Sequence, residues 1–412
     1  MYIFVALVNI IFVVVAISIS RRVFNAVSLL IAPQIALDMI GGYIYELKMG
    51  RVTSDGSVII VLALVTLANF SFAFKYCLTL GSRRSSFFKL IEENKRYKDT
   101  RVRIVLGINL LVILTLIFNL LQKSGAEIFT RQLYEITREG FGHIYFSCLF
   151  LCYTGVAISL CNTNGVARWL WVVTFSISSA SLGAKTPMVV AVYISLIYYS
   201  VRRIKSIKGL LVWMSLSLLG ATLAILSFYI YSEWARDNMV LAMVSYSDGI
   251  RNFAGLIDKW TDFKLGVYWF EDNVFGCIPR SLFPGKPLVY GSGNLAPLIF
   301  ISETIDKGTP SFTRYGRIWA DFGYGSFLII PIMCGINGVF AAKFEDSLER
   351  RPTFAGLSGF FLSIGLPFFN IGSVFLSTIF ANILLSMLVW FLLIGRNGDC
   401  IKHKPQSKGL NN

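Results

Sequence analysis

The sequence predicts an all-α polytopic membrane protein with about eleven transmembrane helices and one large extracytoplasmic loop. Two observations carry that expectation. AVILMFWYC residues fill 55% of the 412 positions and charged residues only 15%, against about 45–50% and about 25% in soluble chains. The apolar residues are also gathered into runs near the roughly 20 residues a spanning helix needs. An aromatic content of 15% with only 11 prolines excludes a disordered or fibrous chain.

The runs place spans at 2–20, 24–44, 57–77, 104–121, 142–161, 169–183, 186–200, 209–231, 318–342, 353–370 and 372–394. The first lacks a basic leading region and a small-residue cleavage site, so it reads as a helix and not a signal peptide. The second carries Gln34 and Asp38 in its interior, where lipid exposure is costly. An interhelical hydrogen bond or a proton relay would each account for them. Spans 1–8 therefore occupy 1–231, with a basic loop at 81–103 and a loop on the opposite side at 122–141. The large loop takes 232–317, spans 9–11 take 318–394, and a tail follows at 395–412.

Orientation follows from the basic residues. One alternating set of loops contains Arg21, Arg22, the 81–103 segment, Arg168, 202–208, Lys343, Arg350, Arg351 and the tail, with 22 Lys/Arg against 7 acids. The other set is close to charge balance. The first set is expected to be cytoplasmic, which puts the N-terminus outside and the C-terminus inside. This distribution also disposes of nucleic acid as the reason for the net charge of +15: the excess lies in short loops and not in a binding face. The 81–103 segment would also attract anionic lipid. The seven cysteines have no metal-ligand spacing, and Cys277 alone falls in the large loop. The two histidines, His143 and His403, lie far apart in the chain and do not supply the ligand set of a zinc or di-iron site.

The large loop is too polar to span and too long to be a plain connection. Ile250, Phe253, Ile257 and Trp260 recur at helical spacing. The segment 248–261 is therefore expected to be an amphipathic helix lying on the outer leaflet. The many aromatics of this loop suit an interfacial belt or loop core, with sugar stacking as the functional alternative.

Several outward cations need individual explanations. Arg280 and Lys286 flank the turn Cys277-Ile-Pro-Arg-Ser-Leu-Phe-Pro-Gly-Lys-Pro287. Proline fixes φ and glycine permits positive φ, so a shaped turn results. An arginine fork and a lysine point charge on such a turn suit a phosphate or carboxylate, and pairing with Glu271 or Asp272 is the plain alternative. Arg131 and Arg138 lie among Glu127, Glu135 and Glu139, at spacings that would also let them pair along one helix. Lys185 sits in a tight turn between two spans and either serves a ligand or snorkels to the interface. His143, at the start of the fifth span, is the outward histidine that could act as a base near neutral pH, or it belongs to the interfacial belt. Arg314, Arg317 and Asp321 fall at i, i+3 and i+7, on one helical face. The carboxylate could hold an arginine or accept a hydroxyl proton.

Three motifs together resemble the bacterial O-antigen polymerase (oligosaccharide repeat-unit polymerase) family. They are Ile278-Pro-Arg-Ser-Leu-Phe-Pro-Gly-Lys-Pro287, then Tyr315-Gly followed by Ala320-Asp-Phe-Gly-Tyr-Gly325, and Gly183-Ala-Lys185, where the family often shows Gly-Ser-Arg. The family also carries an arginine, ten residues and a glycine in each of two outer loops. Arg131 with Gly142, Arg280 with Gly291 and Arg314 with Gly325 fit that spacing.

The resemblance implies a metal-independent, cofactor-free glycosyltransferase of the bacterial inner (cytoplasmic) membrane. Its donor would be a growing glycan on undecaprenyl pyrophosphate, and its acceptor one repeat unit on the same lipid. Arg280, Lys286, Arg314, Arg317, Lys185, Arg131, Arg138 and Tyr315 would bind pyrophosphate and sugar, with Asp321 or His143 as a base if one is used. It would act alone or with a chain-length regulator protein, in contact with membrane lipid and with no nucleic acid. An O-antigen ligase shares the reaction class. A lipid-linked oligosaccharide flippase is disfavoured, because it would show ionisable residues along a central cavity and short outer loops.

Overall fold

The computed structural model describes residues 1–48, 56–80, 99–125, 128, 133, 142–182, 194, 195, 198, 249–277, 283–287, 291–295, 313–350 and 353–364. All the regular structure in these residues is helical. The helices are α1 (Tyr2–Ser20), α2 (Ala26–Lys48), α3 (Gly56–Thr79), α4 (Asp99–Ser124), α5 (Gly142–Asn162), α6 (Gly165–Ala180), α7 (Gly249–Lys259), α8 (Val267–Cys277), α9 (Thr313–Phe322), α10 (Ser326–Arg350) and α11 (Phe354–Ile364).

Five described stretches are long and apolar enough to cross a membrane: α1, α2, α3, Thr100–Lys123 of α4, and Tyr315–Arg350, which joins α9 to α10. They coincide with the expected spans 2–20, 24–44, 57–77, 104–121 and 318–342. Helices α5, α6 and α11 fall on three further expected spans but are shorter or less apolar. The expected spans 209–231 and 372–394, and nearly all of 186–200, lie outside the described residues.

The faces of these helices divide as a bilayer requires. On α1, Ile3, Phe4, Leu7, Ile11 and Val14 are exposed, while Tyr2, Val5, Ala6, Asn9 and Ala16 are buried. An apolar surface without a protein partner on a spanning helix is its lipid face. The buried side is joined by polar contacts of the kind that hold helices together where the hydrophobic effect between them is absent. Asn69 Nδ2 of α3 donates to Asn9 Oδ1 of α1 at 2.9 Å. Asn109 Nδ2 of α4 donates to the Leu151 carbonyl of α5 at 3.0 Å.

Helix α3 packs most extensively against α10. Gly338 explains how closely they approach, since a Cβ there would lie 2.3 Å from the Phe72 carbonyl oxygen. Ser71 Oγ then reaches the Pro331 carbonyl at 2.6 Å. Helix α2 contains Pro33 and continues as a π-helical turn over Ile35–Gly41, which includes Asp38. A proline in a helix removes one backbone bond, and a wider turn is a common accommodation.

A buried ionic cluster ties α2, α3 and α10 together at the end bearing Lys343 and Arg350. Glu345 is fully buried. Its carboxylate accepts from Arg22 Nη1 at 3.0 Å, Tyr76 OH at 2.9 Å and the Ala26 amide at 2.8 Å. Arg22 also pairs with Glu349. A buried charge needs such partners to be tolerated. The carboxylate also sits at the α2 N-terminus, where Asn25 and Ser28 form a reciprocal capping box and the helix dipole favours negative charge.

Helix α7 forms where the apolar spacing predicts it, but its location differs from the expectation. Ile250, Phe253, Ala254 and Leu256 are buried against α3 and α9, so protein covers this part of the apolar stripe. The amphipathic pattern is blind to whether protein or lipid covers the apolar stripe. Polar contacts fix the position: Ser57 Oγ donates to Asp258 Oδ1, and Arg251 pairs with Glu46 at 3.9 Å.

Candidate functional site

Helices α7 and α8 pack on α9, the opening turns of the span Tyr315–Arg350, to form a platform whose parts Asp321 joins. The Asp321 carboxylate accepts the backbone N–H of Tyr268 at 3.0 Å and of Trp269 at 2.7 Å. These are amides of the first turn of α8, which would otherwise be unsatisfied. The Asp321 carbonyl meanwhile accepts the Leu265 N–H at 2.8 Å. One residue thus caps a helix that lies more than fifty positions earlier in the chain. The ordinary helix cap is supplied locally; here it comes from the following span. Trp260 Nε1 adds a bond to the Ala320 carbonyl at 2.9 Å, and the Phe263 ring lies over Gly323.

Arg317, one turn before Asp321, is half-buried, and its Nη1 stands 3.6 Å from Asp272 Oδ2. Asp272 is itself almost fully buried. Beside it, the Gly291 amide donates to Glu271 Oε2 at 2.7 Å. Gly291 has φ +54°, and a Cβ on it would come within 2.2 Å of Asp272 Oδ1. Any other residue would therefore collide with the carboxylate that Arg317 faces. This is the glycine eleven positions after Arg280, and its role is close backbone approach in a left-handed conformation. Burial pushes the Tyr268 phenol above its ordinary value, so it is neutral beside these carboxylates.

The structure brings together some of the residues singled out from sequence and gives others different work. Arg317 and Asp321 share one helical face, as the spacing predicts, but pair with different partners: Arg317 with Asp272, Asp321 with backbone amides. Asp321 is fully buried, and both its carboxylate oxygens accept backbone amides. Tyr315 is also buried, with its hydroxyl 3.8 Å from Cys334 Sγ in the core. Lys286 lies beyond Pro284 and Gly285, and its amide donates to the Phe283 carbonyl at 3.0 Å. His143 and Arg314 begin α5 and α9; their side chains lie outside what is described. Arg280, Lys185, Arg131 and Arg138 lie outside the described residues.

Asp272, Glu271 and Gly291 were not marked as a unit by the sequence reading. The signal that could have found them is the glycine of the arginine-ten-glycine spacing, which asks what its missing side chain makes room for. Among the described residues no group of three His, Cys, Asp or Glu is placed to hold a metal ion, and no disulfide engages Cys77, Cys148, Cys152, Cys161 or Cys334.

Fold and site together define a multi-pass, all-α membrane protein with a charged platform secured to the end of one span. Comparison with known proteins gives its relatives. Over 213 residues, 51% of the chain, it is 28% identical to the O-antigen polymerase of Salmonella typhimurium (strain LT2), and equally to that of Salmonella typhi. The match covers 50% of each, so the chain spans about half the length of the curated relatives it matches. The chain is thus homologous to the O-antigen polymerase family at moderate identity over half its length. No family model matches it, and no solved structure does.

Proposed function

We propose that this protein is a membrane glycosyltransferase that polymerises undecaprenyl-pyrophosphate-linked oligosaccharide repeat units into O-antigen or a related surface polysaccharide. The observation that carries the reading is the homology to O-antigen polymerases over half the chain. The hydroxyl of the acceptor repeat unit attacks the anomeric carbon of the donor sugar. The new C–O bond forms as the bond to pyrophosphate breaks, and the hydroxyl proton passes to a base or to solvent. Undecaprenyl pyrophosphate leaves.

Negative charge grows on the leaving pyrophosphate, so preorganised cations lower the barrier. Arg280 and Lys286 on the proline-glycine turn are the primary clamp, with Arg314, Lys185, Arg131 and Arg138 as further contributors. Arg317 either joins them or sets their platform through Asp272. Pyrophosphate is a good leaving group, so a strong base is not required; Asp321 or His143 would serve if one is used. Much of the rate would come from holding two lipid-linked chains in register. No metal is needed in this scheme.

The test is reconstitution in lipid with lipid-pyrophosphate-linked repeat units and EDTA, with products sized on a gel. A ladder is expected from the native chain and its loss from Arg280→Ala at matched membrane content. A full ladder from Arg280→Ala would remove the clamp. Transfer to lipid A core, or movement of substrate across the bilayer without a ladder, would replace the polymerase reading with ligase or flippase.

A further inference from the structure

The turn between α7 and α8 is exposed in an unusual way. Leu265 is 82% exposed and has φ +50°. A leucine in left-handed backbone is sterically disfavoured, and glycine or asparagine would be the usual choice. The conformation is nonetheless enforced, because the Leu265 amide bonds to the Asp321 carbonyl and the next two helical amides bond to its carboxylate. Phe263, Val267 and Phe270 are exposed around it. These bonds hold the backbone in place, but the Leu265 side chain itself stays exposed.

This ridge adjoins the exposed apolar stripe of the span that follows. Tyr324, Leu328, Ile332, Ile336 and Phe340 are all exposed, each four residues from the last, and form the lipid stripe of the span Tyr315–Arg350. From Tyr324 to Lys343 the helix runs about 28 Å at 1.5 Å per residue, against a hydrocarbon core of about 30 Å. Tyr324 therefore marks one edge of that core and Lys343 the other. The turn is locked to residues beside that edge: Phe322 approaches Gly266, and Phe263 covers Gly323. The intervening Asp262 and Lys264 pair with each other, which reduces the charge brought to the interface.

We propose that the turn Phe263–Val267 is a membrane anchor, with Leu265 inserted among the acyl chains of the leaflet opposite Lys343. It would hold the α7–α9 platform at a fixed depth. The partner is the bilayer itself and not a protein or a bound glycan.

The experiment places a nitroxide at Leu265→Cys in the full chain, with the native cysteines replaced, in vesicles of phosphatidylethanolamine and phosphatidylglycerol. Collision with oxygen, which concentrates in the bilayer, is compared with collision with a water-soluble nickel chelate. Labels at Asp262→Cys and Leu328→Cys are the aqueous and lipid references. The oxygen-to-nickel ratio at 265 is expected to exceed that at 262 and to match that at 328. A ratio at 265 equal to that at 262 would put the turn in water, and shielding from both reagents would mean that protein covers it; either result overturns the anchor. If the cysteine-free chain does not fold, Leu265→Trp in the native background gives a second reading. Its added emission is expected to be quenched by lipids brominated near the headgroup end of the acyl chain, and emission that is not quenched overturns the proposal.

Discussion

At the scale of single residues, two positions decide whether the platform keeps its shape. Asp321→Ala would leave the Tyr268 and Trp269 amides without their acceptor in a buried site. An unsatisfied buried donor costs about 1–3 kcal/mol. The variant is expected to lose thermal stability in detergent and to lose chain growth with it. Asp321→Asn keeps one acceptor oxygen and should fall between Ala and native. If Asp321 were instead a base, Asn would be as inactive as Ala while remaining as stable as native, so the stability and activity series separate the two roles. Gly291→Ala makes a sharper test of close approach. Its Cβ would displace Asp272 from Arg317, so activity should fall even where membrane content is preserved.

The residue scale is also where sequence reading stops. Spacing placed Arg317 and Asp321 on one face, and that face exists. Their partners were invisible, because a backbone amide has no side-chain signature and Asp272 lies 45 positions from Arg317. Arg22 shows the same limit. Its charge was legible as a topology marker, yet its contact with Glu345 crosses 323 positions. A carboxylate near a span end reads like any other loop acid until the fold encloses it.

At the scale of elements, hydropathy made the lipid-facing helices legible because their exposed side is apolar. The amphipathic period of α7 was legible for the same reason, and the same signal could not say what covers the stripe. The contact between α3 and α10 depends on Gly338, whose role lies in what is missing. Gly338→Leu would force these two helices apart against packing that fills the Phe72 side. It is expected to abolish folded protein in the membrane, whereas Ile336→Leu, on the exposed stripe of the same helix, should leave it unchanged. Quantitative comparison of monodisperse protein after detergent extraction checks both.

At the scale of the whole molecule, the basic-residue asymmetry makes a claim about sidedness. Phosphatase fusions, active only outside the cytoplasm, are expected to be active after residue 262 and inactive after residue 351. The opposite pattern would invert the arrangement and overturn the expected outer position of the platform. The platform and the span that carries it are one mechanical unit, joined at Asp321, Trp260 and Gly323.

That join has a consequence for how the protein is made. The first turn of α8 has left the ribosome long before its cap exists, since Asp321 follows Tyr268 by 53 residues. At synthesis rates of about 5–20 residues per second, the delay is roughly 3–10 s. During that interval α7 and α8 would be on the far side of the bilayer with their termini open. They can close only when the next hydrophobic segment is threaded into the membrane. Completion of this structure is therefore a report that insertion of the following helix has succeeded, and a chain stalled before Asp321 would present proteases with an unfinished fold.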